Sequence, residues 1–310
     1  MAISKRVRRI LKVLSANEIE VKTSRRLANL KAITSGKVFH KTFDSKVLNG
    51  DHIVPVRAYF PKEPGFKDKK ILLFFHGGGW ATESIDTYER ACVILAQDTG
   101  CIVVSVEYRL APEYKFPTAL EDCYAAAKAL YCGRLIKGYD QNKITIIGDS
   151  AGGNLAAAVS LLARDRKEFY PRRQILIYPA VYGDYDNPGA PYPSLFENGN
   201  DYILTLGKIK DYVNLYARNE EDKKNKYFAP IREKDLFLQP DTLVITAEFD
   251  PLRDEGEAYG MALKNAGNWV EVLRIKDAIH GFFALGVRSN HMQMCIERIN
   301  RFLEEEQEIV

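Results

Sequence analysis

A serine between two glycines, where an apolar run gives way to a helix-like run, constrains this chain more than any other feature. Residues 143–147 have the composition of a buried strand, and residues 154–163 are rich in leucine and alanine, as helices are. Ser150 lies at the centre of the connecting turn, flanked at two positions' distance by Gly148 and Gly152. Such a turn exposes the serine at the end of a strand, and it needs glycines because a Cβ would collide with neighbouring backbone. Because Gly-x-Ser-x-Gly occurs by chance in about one chain in ten of this length, further support is required.

A second glycine-rich segment supplies that support. Residues 71–75 are all apolar and lead directly into residues 76–80, which read His-Gly-Gly-Gly-Trp. Attack of a serine on a carbonyl carbon forms an oxyanion, which backbone N–H groups without obstructing side chains can stabilise. The glycine loop is predicted to supply such donors, and Ala151, the residue after the serine, is predicted to supply another. We expect His76 to anchor the loop and to take no part in the chemistry.

Serine needs a general base, and the chain contains only five histidines. In folds with this turn the catalytic residues follow the order serine, acid, histidine, which excludes every histidine before Ser150. His291 lies within a predicted helix, whereas His280 lies in a loop after the strand-like residues 270–275. The sequence therefore predicts His280 as the base.

An acid between the serine and the histidine should orient the imidazole and stabilise its charged form. Residues 242–247 have the composition of a buried strand, and Asp250 follows them closely. Asp250 is therefore the predicted acid. Asp277 is the main alternative, because it is close to His280 in the sequence.

Eight strand-like runs alternate, from the third onward, with helix-like stretches. This alternation predicts an α/β fold with a mostly parallel, eight-stranded sheet covered by helices on both faces. The predicted strands are residues 37–43, 53–59, 70–75, 102–106, 144–147, 175–178, 242–247 and 270–275. The predicted helices are residues 87–99, 118–131, 151–164, 251–265 and 291–305.

Five motifs together resemble those of the hormone-sensitive-lipase-like family of α/β-hydrolases, in its bacterial carboxylesterase branch. They span about residues 70 to 285 and are HGGGW at 76–80, YRLAPE at 108–113, GDSAGGN at 148–154, DPLRDE at 250–255 and HGF at 280–282. Glu107 stands where family members usually carry aspartate, a conservative departure that affects no catalytic role. The resemblance implies the α/β-hydrolase fold with a helical cap.

The resemblance also implies roles for individual residues. Ser150 would be the nucleophile, Asp250 the acid and His280 the base. The oxyanion would be held by three backbone donors, those of Gly78, Gly79 and Ala151. No metal ion or cofactor is implied. Plant hormone receptors related to the family lack the histidine and only bind ligand, and because His280 is present here we expect an enzyme.

Two segments outside the strand–helix alternation are expected to form the cap of a single domain. They are residues 1–36 and about 182–227, which leaves 37–181 and 228–310 as the catalytic core. Between Ile3 and Leu14, apolar and basic residues fall on different faces of a helix. Family resemblance favours packing of the apolar face over the mouth of the site, with contact to an anionic membrane as the alternative. The second segment is dense in aromatic residues, most of which we expect in the core and some in the substrate pocket.

The sequence thus predicts a serine carboxylesterase that acts through an acyl-enzyme intermediate. The resemblance implies short-chain esters, acetyl to about hexanoyl. An amidase or formamidase with the same three residues is left open, as is a catalytically silent receptor. A long-chain lipase has support only from the basic N-terminal segment. Each methylene changes discrimination by only about 1–3 kcal/mol, so the sequence does not decide the preferred chain length.

Charge and cysteine content bear on partners and location. A net charge of +3 over 310 residues gives no reason to expect a nucleic-acid partner. No run approaches the roughly 18 apolar residues of a membrane span, so no stable membrane insertion is expected. The five cysteines lack C-x-x-C spacing, which argues for free thiols and against a metal site or disulfides. Together with the lack of a signal-peptide pattern, this favours a cytoplasmic location. A homodimer is left open.

Overall fold

The computed structural model describes residues 20–34, 40–63, 65 and 69–305. The amphipathic segment between Ile3 and Leu14 and the first residues of the predicted strand 37–43 lie outside these ranges. Within the described ranges, no helix is long and apolar enough to cross a membrane.

One eight-stranded sheet forms the centre of the molecule. Its strands are β1 (Thr42–Asn49), β2 (His52–Tyr59), β3 (Ile71–Phe75), β4 (Ile102–Val106), β5 (Ile144–Asp149), β6 (Arg173–Ile177), β7 (Asp241–Phe249) and β8 (Val270–Ile279). Their order across the sheet is β1-β2-β4-β3-β5-β6-β7-β8. β2 pairs antiparallel with both β1 and β4, and all other neighbours are parallel. The prediction of a mostly parallel, eight-stranded sheet is confirmed.

Helices cover the sheet on both sides. They are α1 (Val21–Thr34), α2 (Glu89–Thr99), α3 (Thr118–Tyr131), α4 (Ala151–Arg166), α5 (Ser194–Glu197), α6 (Leu206–Tyr216), α7 (Arg253–Asn265) and α8 (Asn290–Glu304). Alternate residues of each strand point to opposite faces. Leu73 and Phe75 of β3 therefore pack with α3, α4 and α7, whereas Leu72 and Phe74 pack with α2 and α8. Every residue of β3 is buried, which explains its uninterrupted apolar run.

The first strand is the one strand that the sequence prediction misplaced. The predicted run 37–43 reaches only the start of β1, which continues to Asn49. A tight hairpin at Gly50 and Asp51 then places Asn49 opposite His52. β1 is an edge strand, and most of its side chains are exposed. Polar residues therefore interrupt its apolar residues, and a search for continuous apolar runs does not find it.

Helices α1, α5 and α6 lie outside the strand–helix alternation. The Arg25 guanidinium in α1 donates to the carbonyl oxygens of Ala81 and Ala111 and forms an ion pair with Glu113 at 2.9 Å. These contacts hold α1 against the loops that follow β3 and β4. The ring of Tyr216 in α6 stacks on that of Trp80, with 4.8 Å between ring centroids. The division into a cap (1–36 and 182–227) and a core stays a prediction.

Candidate active site

Ser150 occupies the tight turn between β5 and α4. Its backbone angles, φ 55° and ψ −119°, are strained for a residue with a side chain. A Cβ on Gly152 would lie 1.9 Å from the carbonyl oxygen of Phe75, and a Cβ on Gly148 would lie 2.2 Å from the carbonyl oxygen of Gly152. Both collisions are with backbone, which cannot rotate away as a side chain can. The turn therefore requires glycine on both sides of Ser150.

Hydrogen bonds join Ser150, His280 and Asp250 in a continuous chain. Ser150 Oγ lies 2.9 Å from His280 Nε2, and His280 Nδ1 lies 2.7 Å from Asp250 Oδ2. Asp250 is fully buried, and its other carboxylate oxygen accepts the backbone N–H of Leu252 at 2.8 Å. With Nδ1–H donating to the carboxylate, Nε2 of the neutral imidazole is left to accept the serine proton. The arrangement can activate a serine hydroxyl.

The alternatives weighed from the sequence lie in other surroundings. The backbone N–H of Asp277 donates to the Glu248 carboxylate at 2.7 Å, and the carboxylate at His280 is that of Asp250. His291 is the second residue of α8, and its ring centroid lies 6.3 Å from that of Phe282. The structure thus brings together the three side chains that the sequence selected.

The three backbone N–H groups predicted to stabilise the oxyanion belong to residues that line one cavity with Ser150. They belong to Gly78, Gly79 and Ala151, which line the cavity together with Ser150 and His280. None of the three N–H groups donates a hydrogen bond to another described residue. Ala151 is the first residue of α4, where backbone N–H groups have no partner within the helix and the helix dipole favours negative charge. These groups can therefore receive an oxyanion.

Asp149 ties the serine turn to the glycine loop, a role that the sequence analysis did not assign. Its fully buried carboxylate accepts the backbone N–H of Gly77 at 2.8 Å and the hydroxyls of Tyr88 at 2.9 Å and Tyr178 at 3.2 Å. These donors are all neutral, and burial raises the pKa of the Asp149 carboxyl to about 6. The only signal in the sequence was a carboxylate next to the serine.

His76 is buried beneath the glycine loop. Its ring stacks on Tyr108, with 4.3 Å between centroids, and its Nδ1 lies 2.8 Å from the carbonyl oxygen of Gly77. The Tyr108 hydroxyl donates to the carbonyl oxygen of His76 at 2.8 Å. Burial lowers the pKa of the His76 imidazole to about 4, so the ring stays neutral near neutral pH. These contacts fit an anchoring role.

The cavity above Ser150 has a volume of about 380 Å³. The loops that follow β3, β5 and β8 contribute to its lining, together with helices α1 and α6 and the loop before α6. The residues from these outer segments are Ser24, Leu27, Ile203, Leu204, Lys208, Ile209 and Tyr212. Of the aromatic residues in the 182–227 segment, Tyr212 alone is among the described residues that line this cavity. Most of the others pack in the core, in line with the sequence interpretation.

Lys208 is the lining residue that sequence reasoning missed most completely. It lies in the first turn of α6, a helix whose sequence gives no sign of which face meets the cavity.

No group of three or more His, Cys, Asp or Glu side chains within the described ranges is placed to hold a metal ion. All five cysteines are free thiols, and four of them are buried.

Known proteins resemble this chain along most of its length. A family model described as alpha/beta hydrolase fold matches residues 72–284, more than half of the chain. An arylesterase from Saccharolobus solfataricus is 39% identical over 280 residues, covering 90% of this chain and 88% of that protein. An ethyl acetate hydrolase from Pseudomonas putida is 32% identical over 282 residues, covering 89% of this chain and 87% of that protein. Among solved structures, an esterase from the archaeon Pyrobaculum calidifontis superposes with a TM-score of 0.86 at 35% identity and covers 98% of both chains.

Proposed function

This chain belongs to the α/β-hydrolase family and is a carboxylic ester hydrolase, and we propose that it cleaves short-chain esters through an acyl-enzyme formed on Ser150. The predicted membership in the hormone-sensitive-lipase-like family is confirmed by these relatives. The observation that carries the mechanism is the unbroken hydrogen-bonded chain from Ser150 through His280 to buried Asp250.

The geometry supports the following sequence of steps. His280 Nε2 accepts the hydroxyl proton as Ser150 Oγ attacks the ester carbonyl carbon. Asp250 holds the imidazole in the required tautomer and stabilises its cationic form. The oxyanion accepts hydrogen bonds from the glycine loop and from Ala151, and removing one donor of this kind typically costs about a hundredfold or more in kcat. His280 then protonates the leaving alcohol, and a water molecule activated by the same imidazole releases the acid and restores Ser150.

The size of the cavity supports small substrates. Its volume of about 380 Å³ is near the lower end of the range of roughly 300–1,000 Å³ found for small-molecule sites. Tyr212 closes one side so tightly that a Cβ on Gly79 would lie 2.2 Å from the tyrosine ring. One relative is named as an ethyl acetate hydrolase, whose substrate has a two-carbon acyl group. Acyl groups from acetyl to about hexanoyl are therefore the proposed range.

A matched pair of serine variants tests the role of the nucleophile. Ser150→Ala should lower kcat on p-nitrophenyl acetate on the order of 10⁴-fold or more. Ser160→Ala is the control, because the Ser160 hydroxyl is buried in α4, the helix that follows Ser150, and donates to the carbonyl oxygen of Ala156. Equal activity in Ser150→Ala and the wild type would rule out Ser150 as the nucleophile.

Two further measurements test the finer parts of the proposal. Added methanol should divide the acetyl group between methanol and water in the same ratio for phenyl acetate and p-nitrophenyl acetate, because both pass through one acyl-enzyme. A series of p-nitrophenyl esters should give the highest kcat/KM between acetyl and hexanoyl. A maximum at decanoyl would contradict the short-chain assignment, and faster cleavage of acetanilides than of acetates would favour an amidase.

A further inference from the structure

A lysine lies in the wall of the cavity that holds Ser150. Lys208 is in the first turn of α6, where the side chain of Thr205 accepts its backbone N–H at 3.2 Å. Apolar residues on either side, Leu204 and Ile209, line the same cavity. No step of ester hydrolysis requires an ammonium group at this position, so its presence calls for a separate explanation.

The charge of Lys208 has no counter-ion within the part of the chain that the structure describes. Its Nζ donates to the carbonyl oxygen of Ile203 at 3.2 Å, and it makes no ion pair with another described residue. Lys210, two positions along the same helix, pairs with Asp186 at 3.3 Å and does not line the cavity. Burial lowers the pKa of the Lys208 ammonium, because partial desolvation penalises its charge.

Two acidic residues also line the cavity, and within the described ranges neither forms an ion pair with Lys208. Glu83 lines the cavity but forms no ion pair with Lys208. Burial of Tyr212 raises the pKa of its hydroxyl, and the negative charge of Glu83 adds to that rise. The carboxylate of Asp149 is fully buried and accepts hydrogen bonds from three donors. An anion that enters with the substrate would therefore meet, at Lys208, a cation that has no ion-pair partner among the described residues.

We propose that Lys208 binds a carboxylate of the substrate, so that the enzyme prefers short esters with one carboxylate to neutral esters of the same length. This rests on the proposed function, since it assigns the substrate class of the same site. Half-esters of short dicarboxylic acids and acyl esters of small hydroxy acids share this chemistry. A single ammonium matches one negative charge, and the first turn of α6 adds the positive end of a helix dipole. A phosphate dianion carries a second negative charge that Lys208 alone does not match.

Paired substrates measure this preference on each side of the ester bond. On the acyl side, p-nitrophenyl hydrogen succinate is compared with p-nitrophenyl butyrate. On the alcohol side, 4-acetoxybenzoate is compared with 4-acetoxybenzamide. The quantity of interest is the ratio of kcat/KM for the anionic ester to kcat/KM for its neutral partner. Lys208→Met should lower this ratio about five- to tenfold on at least one side, as loss of a partly desolvated ion pair does.

Two variants and a salt series control the experiment. Lys208→Arg keeps the charge and should hold the ratio within about twofold of the wild type. Lys210→Met removes a charge from the same helix outside the cavity and should leave the ratio unchanged. The wild-type ratio should also fall as ionic strength rises, a readout that needs no folded variant.

Several outcomes would overturn the proposal. One is an equal ratio in the wild type and Lys208→Met on both sides of the ester. Another is a fall of the ratio in Lys210→Met equal to that in Lys208→Met, which would mean that the positive charge of the protein surface in general attracts the anionic ester. Failure of the proposed function is distinguishable, because it would appear as the absence of Ser150-dependent turnover on the neutral esters.

Discussion

Replacing Asp149 with asparagine should make the protein more stable at alkaline pH. The Asp149 carboxylate is fully buried against neutral donors, the backbone N–H of Gly77 and the hydroxyls of Tyr88 and Tyr178. Asparagine has nearly the same shape, its oxygen can accept the Gly77 N–H, and tyrosine hydroxyls can turn to accept its amide protons. The substitution therefore removes a buried charge and keeps the hydrogen bonds.

The pKa of Asp149 gives the size and sign of the effect. Burial raises it from 3.8 to about 6, and each unit corresponds to about 1.36 kcal/mol, so the shift is worth about 3 kcal/mol. Because the folded state holds the proton more tightly than the unfolded state, this stability is fully present below pH 3.8 and is lost as the pH rises through about 6. Asparagine does not titrate. Asp149→Asn should thus match the wild type near pH 4 and exceed its free energy of unfolding by about 3 kcal/mol at pH 8.

The assay is equilibrium urea unfolding of both proteins from pH 4 to pH 8. Asp122→Asn is a matched comparison, because Asp122 is equally buried but forms an ion pair with Arg109 at 2.7 Å. Removing that charge leaves an arginine without its partner, so Asp122→Asn should be less stable than the wild type at pH 8. The reasoning on Asp149 is refuted if Asp149→Asn is destabilised at pH 8 or if its difference from the wild type does not change with pH.

Two other substitutions give sharp expectations. Gly152→Ala should lower the free energy of unfolding by about 3 kcal/mol or more in urea unfolding, because its Cβ would lie 1.9 Å from backbone oxygen. Gly100→Ala is strained by the backbone, with φ +67°, but has open space around the Cβ, so it should cost only about 1 kcal/mol, and an equal loss in both variants would disprove the steric argument. Tyr212→Ala should increase kcat/KM for p-nitrophenyl decanoate relative to the acetate about tenfold, because the ring bounds the cavity. An unchanged ratio would show that another residue limits the acyl chain.

Much of the fold could be predicted because its strands are buried on both faces. The run Ile71–Phe75 is apolar throughout and Ile102–Val106 is apolar except for Ser105, so both stand out without any knowledge of their neighbours. The edge strand Thr42–Asn49 has most side chains exposed and carries no such run, and the prediction placed it too early. The strand–helix alternation then left few topologies open.

The candidate site, too, could be predicted from the sequence only in part. Ser150, His280 and Asp250 could be selected from the sequence because a strained turn demands glycines and because chain order eliminates most alternatives. Their hydrogen bonds of 2.9 and 2.7 Å needed the structure.

The sequence by itself determined the fold class and the kind of chemistry, since both depend on local patterns of apolar residues and glycines. Only the tertiary structure decided the surroundings of that chemistry. It brought Gly77, Tyr88 and Tyr178 to the carboxylate of Asp149 and placed Lys208 in the lining of the cavity that holds Ser150. These contacts join residues far apart in the chain, and they depend on how helices and loops pack, which no local pattern encodes.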